Sequence, residues 1–129
     1  MPDNIISVPI SIGELCDKYT ILQIKMVKIT DANKLDKIKH EYEYLTPLIQ
    51  KCKVCDKYLD ELNTINNMLW NIEDQIRIKE LNKEFDDEFI ELARSVYITN
   101  DRRYEIKNSI NIFYNSDICE IKSYTPYTC

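Results

Sequence analysis

The chain has 129 residues, a formal net charge of −5, and hydrophobic and charged fractions of 44% and 30%, which are typical of one folded domain. The negative charge argues against a general nucleic-acid-binding protein, because neutralising phosphates needs a basic surface. No apolar run approaches the roughly 20 residues of a membrane-spanning helix, and the N-terminus lacks the basic start and apolar core of a signal peptide. We therefore expect a single domain over residues 1–129 that binds neither nucleic acid nor membranes.

Five cysteines, an odd number, occur without a secretory signal, which indicates reduced thiols in a cytoplasmic protein. Cys52 and Cys55 form a lone C-x-x-C motif. A tetrahedral zinc site needs two further ligands, but no second pair follows, and His40 is the only histidine. We therefore predict no metal site and no cofactor, and we interpret the motif as chance cysteines in a connector.

Four amphipathic helices are predicted from apolar residues that recur at alternating steps of three and four, the spacing of helices in a left-handed bundle. The first helix is expected to start at Ile12, because Ser11 and Glu14 form an S-x-x-E capping box. The second is expected to begin after Asp31 and to kink or end near Pro47, whose ring nitrogen cannot donate a helical hydrogen bond.

The third helix is predicted from about Asp56 to Leu81, a length of roughly 40 Å at about 1.5 Å per residue. A turn over residues 82–85 and a cap at Asp86 or Asp87 precede the fourth helix. The predicted fold class is therefore all-α, an antiparallel bundle of four long helices.

Both chain ends are predicted to be extended, because residues 4–9 and 118–124 alternate apolar with polar side chains. Antiparallel helices bring both chain ends to the same end of the bundle, so the two segments can pair there. Four helices rarely cover every apolar face, so we also expect a homo-dimer or another protein partner. The candidate residues for that surface are Ile24, Val27, Ile78 and Ile98.

Thr99 and Arg103 interrupt the apolar stripe of the fourth helix. An arginine at such a position must be paired or face a cavity, since an unpaired buried charge costs several kcal/mol. Three interpretations stay open: a structural ion-pair layer, an interhelical pocket for an anionic small molecule, and a surface for a partner protein. The candidate ligand-binding residues around this point are Glu73, Asp74, Arg77, Arg94, Tyr97, Asn100, Asp101, Arg103 and Lys107.

A second candidate cluster lies near the start of the first helix, where Asp17 and Lys18 stand one step off the apolar stripe. If the helices alternate in direction, the chain's last segment reaches the same end of the bundle and adds Lys122 and Tyr124. The alternative is that these are solvated charges at a helix start.

Motifs for catalysis are weak. Glu14-x-x-Asp17 precedes Glu88-x-x-Glu91, whereas all-α nucleotide pyrophosphohydrolases bind magnesium with an ExxE upstream of an ExxD, so both order and spacing differ. Chorismate-mutase-like bundles offer an architectural likeness only. The sequence contains no glycine-rich phosphate loop, no HExxH motif and no Ser-His-Asp set. Whether the protein is an enzyme therefore stays open.

Four ordered segments, SIGELCDKYTILQIK, LWNIEDQIR, FDDEFIELARSVYITNDRRYEIKNSIN and EIKSY, resemble a family of small helical proteins of unknown function from bacteria, phages and large DNA viruses. The resemblance spans nearly the whole chain, although residues 47–55 and the extreme C-terminus fall outside its motifs. It implies no established activity, although bacterial members are often encoded near glycan and lipopolysaccharide assembly genes. The family's polar motif positions correspond here to Glu14, Asp17, Lys18, Glu73, Asp74, Arg77, Arg94, Tyr97, Asn100, Asp101, Arg103, Lys107, Lys122, Ser123 and Tyr124.

Two functions follow as expectations. The first is a non-catalytic binding or adaptor protein with a polar interhelical site, connected with glycan machinery or, in a virus, with the virion. The second is a small enzyme or sensor that acts on an anionic metabolite such as a sugar nucleotide. In the second case the expected roles are anion binding by Arg94 and Arg103, orientation by Asp74 or Asp101, and hydroxyl donation by Tyr97 or Tyr124.

Overall fold

The computed structural model describes residues 4–128 and contains four α-helices and no β-strand in that range. This confirms the all-α, four-helix prediction. The helices are α1 (Ile12–Lys28), α2 (Ala32–Cys52), α3 (Asp56–Leu81) and α4 (Asp87–Phe113).

Three of the four helices start at the polar caps that the sequence indicates. The Ser11 hydroxyl accepts a hydrogen bond from the Glu14 N–H at 3.0 Å, which is one half of the predicted capping box. Asp31 caps α2 in the same way, and Asp86, rather than Asp87, caps α4. Such a cap contributes about 1 kcal/mol.

Pro47 does not end α2. The helix continues for five further residues, to Cys52, and ends where Lys53 adopts a left-handed backbone conformation with φ of 54°. The connector to α3 is therefore only residues 53–55, so of the two C-x-x-C cysteines only Cys55 lies in it, and Cys52 is the last residue of α2.

Helix α1 is the centre of the packing, because it contacts α2, α3 and α4, whereas α2 packs on α1 and contacts neither α3 nor α4. On the α2 side, the Tyr19 and Tyr42 hydroxyls are 2.7 Å apart and their rings are stacked. The core is formed by residues such as Leu15, Leu62 and Ile110 from three helices. No helix within residues 4–128 is long and apolar enough to cross a membrane.

The expected dimer surface needs one correction, because Ile24 is buried inside the chain with 4% of its surface exposed. It packs at the junction of α1 with α3. The other three candidates, Val27, Ile78 and Ile98, are exposed.

The two terminal segments do not pair as strands, so that expectation is wrong. Residues 5–10 line a groove against α2, whereas the C-terminal tail, residues 118–128, lies along α4. There the Tyr104 hydroxyl donates to the Glu120 carbonyl at 3.2 Å. The alternation of the tail turns Glu120 and Lys122 towards α4 and leaves Ile121 84% exposed.

Candidate functional site

A buried polar layer joins α1, α3 and α4 at the point where the apolar stripe is interrupted. The Asn66 Nδ2 group donates to Asp17 Oδ1 at 2.9 Å and to Thr20 Oγ1 at 3.1 Å. The Asn66 Oδ1 atom accepts from Arg103 Nη1 at 3.3 Å. Because an amide both donates and accepts, Asn66 connects a buried carboxylate to a guanidinium that this carboxylate does not touch.

Arg103 has no carboxylate within ion-pair distance among the described residues, 4–128. Its side chain is partly exposed, and together with Asn100 it lines two separate concave surfaces on the two sides of α4. The guanidinium has five N–H donors, and Asn66 accepts from one of them. The remaining donors are therefore directed towards solvent-accessible space.

The first concave surface, which we call the tryptophan cleft, has a volume of about 420 Å³ and lies between α1, α3 and α4. Ile24 and Leu69 form part of its apolar base. Its polar and aromatic lining consists of Lys25, Asn66, Trp70, Glu73, Asp74, Asn100 and Arg103. The cleft thus combines two cations, two carboxylates and one indole ring.

The second concave surface, which we call the tail groove, has a volume of about 860 Å³ and lies between α4 and the C-terminal tail. Four tyrosines line it, together with Lys122 and the acidic residues Asp101 and Glu105. The tyrosines are Tyr97, Tyr104, Tyr124 and Tyr127.

A buried lysine connects α4 to α1 and to the tail. Lys107 Nζ lies 2.7 Å from Glu14 Oε2, 3.0 Å from Glu120 Oε1 and 3.9 Å from Asp17 Oδ2. Within residues 4–128 the ion pair with Lys107 is the only polar partner of that buried Glu120 oxygen. Burial by itself lowers the pKa of Lys107, but the hydrogen bonds to Glu14 and Glu120 outweigh burial and raise the pKa.

The start of α1 lies very close to α4, because residue 13 has no side chain. The Gly13 N–H donates to Asn111 Oδ1 at 2.7 Å, and the Ile12 N–H donates to Ser116 Oγ at 3.1 Å. A Cβ atom at position 13 would lie 2.5 Å from the Lys107 carbonyl oxygen. This close approach brings Glu14 and Asp17 within reach of Lys107.

The structure brings together part of the first predicted cluster. Asn100 and Arg103 lie at the centre, with Glu73 and Asp74 in the tryptophan cleft and Tyr97 and Asp101 in the tail groove.

Two arginines of the same cluster lie outside both surfaces. Arg77 pairs with Glu73 at 3.4 Å and is 78% exposed, and Arg94 pairs with Glu91 at 2.8 Å. Lys107 also lies outside both surfaces and is near the carboxylates of Glu14, Asp17 and Glu120.

The second predicted cluster is divided as well. Asp17 lies in the buried polar layer near Lys107, whereas Lys122 and Tyr124 line the tail groove. Lys18 is exposed and lines the N-terminal groove against α2.

Sequence reasoning missed Lys25, Asn66, Trp70 and Glu120 as site residues. A signal existed for Asn66, which lies four residues after Leu62 and three before Leu69 and so faces the same side of α3 as the apolar stripe. Nothing in the sequence distinguishes Lys25 and Glu120 from solvated charges.

The described cysteines are free thiols, and one of them is deeply buried. Burial raises the pKa of Cys16 to about 12, with smaller contributions from Cys52 and Asp17, so this thiol stays protonated and unreactive. Within residues 4–128, no three His, Cys, Asp or Glu side chains lie close enough together to bind a metal ion.

Comparisons with known proteins add one assignment. The search of curated proteins and the search of solved structures each found no match. The family model described as a family of unknown function, DUF6165, matches residues 6–129. Because this match covers nearly the whole sequence, the chain belongs to the DUF6165 family.

Proposed function

We propose that the protein is a non-catalytic binding protein that holds an anionic small molecule at Arg103. The observation that supports this function is a partly buried guanidinium with no carboxylate partner among residues 4–128. A cation that is partly removed from water without a counter-charge is unfavourable. A bound phosphate or carboxylate would supply that charge and accept two parallel hydrogen bonds from the planar guanidinium.

The surrounding hydrogen bonds favour binding because they fix the guanidinium in advance. Asn66 contacts Arg103, and Asn66 is in turn fixed by Asp17 and Thr20 inside the helix junction. Side chains that are already ordered lose less conformational entropy when a ligand binds.

The tryptophan cleft has the size and composition of a small-molecule site. Its volume of about 420 Å³ lies within the usual range of about 300–1,000 Å³. Lys25 adds a second positive charge, and the Trp70 ring offers a flat apolar surface. Glu73 and Asp74 would repel a second anionic group, so the cleft favours a ligand with one anionic end and hydrogen-bond donors elsewhere.

The same cleft supports a second candidate function, a small enzyme or sensor for an anionic metabolite such as a sugar nucleotide. The specific observation is that Asp74 shares the cleft with Arg103, and a carboxylate beside a bound substrate can orient it or accept its proton. The family resemblance adds that Asp74, Asn100 and Arg103 are all motif positions, and that bacterial members are encoded near glycan assembly genes. In a viral member, the non-catalytic binding protein would instead act in the virion.

The experiment is a thermal-shift and calorimetric titration of the full chain with phosphate, sulfate and UDP-glucose. A ligand at about 100 times its Kd adds roughly 2.7 kcal/mol to the free energy of unfolding. We expect Arg103→Met to abolish the shift while its own unfolding free energy is unchanged or higher. Arg94→Met is the matched control, because Arg94 lies on the same helix but is exposed and paired with Glu91.

The outcomes separate the interpretations. An Arg103→Met chain that no longer folds would indicate a structural layer rather than a binding site. No shift with any of the three anions contradicts anion binding. Turnover of UDP-glucose in phosphorus NMR spectra, lost in Asp74→Asn, would favour the enzyme.

We also infer that the chain self-associates through its exposed apolar side chains. Val27, Ile78 and Ile98 remain exposed in the single chain. Light scattering should give the mass of a dimer, and Ile78→Glu should shift it towards the monomer because a buried unpaired charge is unfavourable. A strict monomer at high protein concentration would contradict this inference.

A further inference from the structure

The C-terminal tail forms one side of a groove that the proposed anion site leaves unused. Tyr104 donates to the carbonyl of Glu120, and the ring centroids of Tyr97 and Tyr127 are 5.0 Å apart. The tail therefore runs antiparallel to α4 over two helical turns. The ion pair between Glu120 and Lys107 at 3.0 Å connects its start to the buried core.

Tyrosines dominate the surface of the tail groove. Tyr97, Tyr124 and Tyr127 are 43%, 79% and 52% exposed, and Tyr104 lies beneath them. Single exposed aromatic residues are common, but several of them in one concave surface mark a binding site. Each ring offers an apolar face and a hydroxyl group that can donate or accept.

The charges of the tail groove are balanced, with Arg103 and Lys122 opposed by Asp101 and Glu105. Lys122 Nζ lies 5.3 Å from the centroid of the Tyr104 ring, a cation–π distance. A ligand that is anionic throughout would be attracted by the two cations and repelled by the two carboxylates. Carboxylates do, however, accept hydrogen bonds from hydroxyl groups.

The angle between the tyrosine rings indicates which kind of ligand ring, a nucleobase or a sugar, fits the tail groove. A nucleobase held between two rings would need parallel aromatic planes, but the Tyr97 and Tyr127 rings meet at 63°, edge to face, so these two rings do not form such a stack. Asp101 lines the same groove as Tyr97 and Tyr127, so a hydrogen-bond acceptor lies near the rings. Apolar ring faces next to acceptors suit a saturated ring with C–H faces and hydroxyl groups.

We propose that the tail groove binds the sugar ring of an anionic sugar whose phosphate or carboxylate is bound by Arg103. This inference rests on the proposed function, because Arg103 and Asn100 line both the tryptophan cleft and the tail groove. The tyrosine faces pack against the sugar, and Asp101 and Glu105 accept its hydroxyl groups. Lys122, which lies 3.9 Å from Glu120, adds a second positive charge to the same groove.

The test compares four probes by calorimetry on the full chain: inorganic phosphate, glucose 1-phosphate, glucuronate and the neutral methyl glucoside. We expect at least one of the two anionic sugars to bind at least about tenfold more tightly than phosphate. If glucose 1-phosphate binds more tightly, the anionic group is a phosphate, and if glucuronate binds more tightly, it is a carboxylate. In the double variant Tyr124→Ala/Tyr127→Ala this advantage should disappear while the affinity for phosphate is unchanged.

The matched control is Tyr44→Ala, because Tyr44 on α2 is similarly exposed, at 49%, and lies outside the groove. A second variant, Asp101→Asn, removes an acceptor charge without changing the rings, and should also reduce the sugar advantage. Equal affinities of phosphate and both anionic sugars in the unchanged chain would overturn the proposal. So would an advantage that survives in both groove variants.

Failure of the anion site can be recognised separately. If phosphate does not bind, the proposed function fails, and saturation-transfer NMR with methyl glucoside then tests the tail groove alone. A signal that is lost in Tyr124→Ala/Tyr127→Ala supports a sugar-binding groove, and no signal in the unchanged chain overturns it.

Discussion

Two lysines, at opposite ends of the α3–α4 hairpin, each contact three carboxylates. At the turn between the helices, Lys79 Nζ lies 3.0 Å from Asp86, 3.1 Å from Glu88 and 3.2 Å from Glu84. At the other end, Lys107 has its three partners at 2.7–3.9 Å. The two lysine side chains are similarly buried, at 14% and 9% exposed, so the clusters differ in the exposure of their carboxylates. The carboxylates around Lys79 are 49–69% exposed, whereas those around Lys107 are 6–36% exposed.

The difference shows that the water around the carboxylates decides what such a cluster contributes to stability. Hydrogen bonds to Asp86 and Glu88 raise the pKa of Lys79, and hydrogen bonds to carboxylates raise that of Lys107 against the effect of burial. A raised lysine pKa adds stability below the ordinary value of 10.5, and this contribution is lost as the pH rises through the folded value. Both clusters therefore stay charged at neutral pH, but exposed carboxylates can rehydrate if the lysine is removed.

The sharpest test of this comparison is Lys107→Met, which removes the charge and keeps the length of the side chain. Glu14, Asp17 and Glu120 would then face one another at a site with little water. Breaking a buried ion pair on one side costs about 3–5 kcal/mol. We therefore expect a decrease of about 4 kcal/mol in the unfolding free energy, measured by urea denaturation with circular dichroism.

Lys79→Met is the matched control for this prediction. Its three carboxylate partners are exposed, so the expected loss is much smaller than that of Lys107→Met. About 1 M salt should remove most of it, because exposed charges are screened, whereas the effect of Lys107→Met should persist. Equal losses for the two variants would contradict the role assigned to burial.

The local features of the fold were predictable from the sequence because they depend on neighbours in the chain. The capping residues Ser11, Asp31 and Asp86 lie three residues before the N–H groups that they accept from. The Lys79 cluster joins residues five to nine positions apart. Periodicity and capping carry this information, and the four helices follow from it.

The candidate site was only partly predictable, because its contacts join distant parts of the chain. The interruption at Arg103 indicated a polar residue between the helices, but its partner Asn66 is 37 residues away and Lys107 is 93 residues from Glu14. Periodicity places Arg103 on the apolar stripe of α4 and Arg94 off it. It does not state which residue of a neighbouring helix Arg103 meets, because that depends on how the helices pack.

The close approach of α1 to α4 buries the carboxylates around Lys107. Gly13→Ala tests whether the contact at Gly13 is the cause of this burial. The added Cβ would lie 2.5 Å from the Lys107 carbonyl oxygen, a backbone atom that cannot rotate away. We expect a loss of about 2 kcal/mol, typical of overpacking. Lys18→Ala is the control, because Lys18 is on the same helix but exposed, and its loss should stay within about 0.5 kcal/mol.

The double variant Gly13→Ala/Lys107→Met then separates packing from charge. If α1 moves away from α4, water reaches Glu14 and Asp17, and the Lys107 end becomes similar to the Lys79 end. The loss from Lys107→Met should therefore be smaller in the Gly13→Ala background, with a coupling of about 1 kcal/mol in a double-mutant cycle. Strictly additive losses would mean that the burial of Lys107 does not depend on the glycine contact.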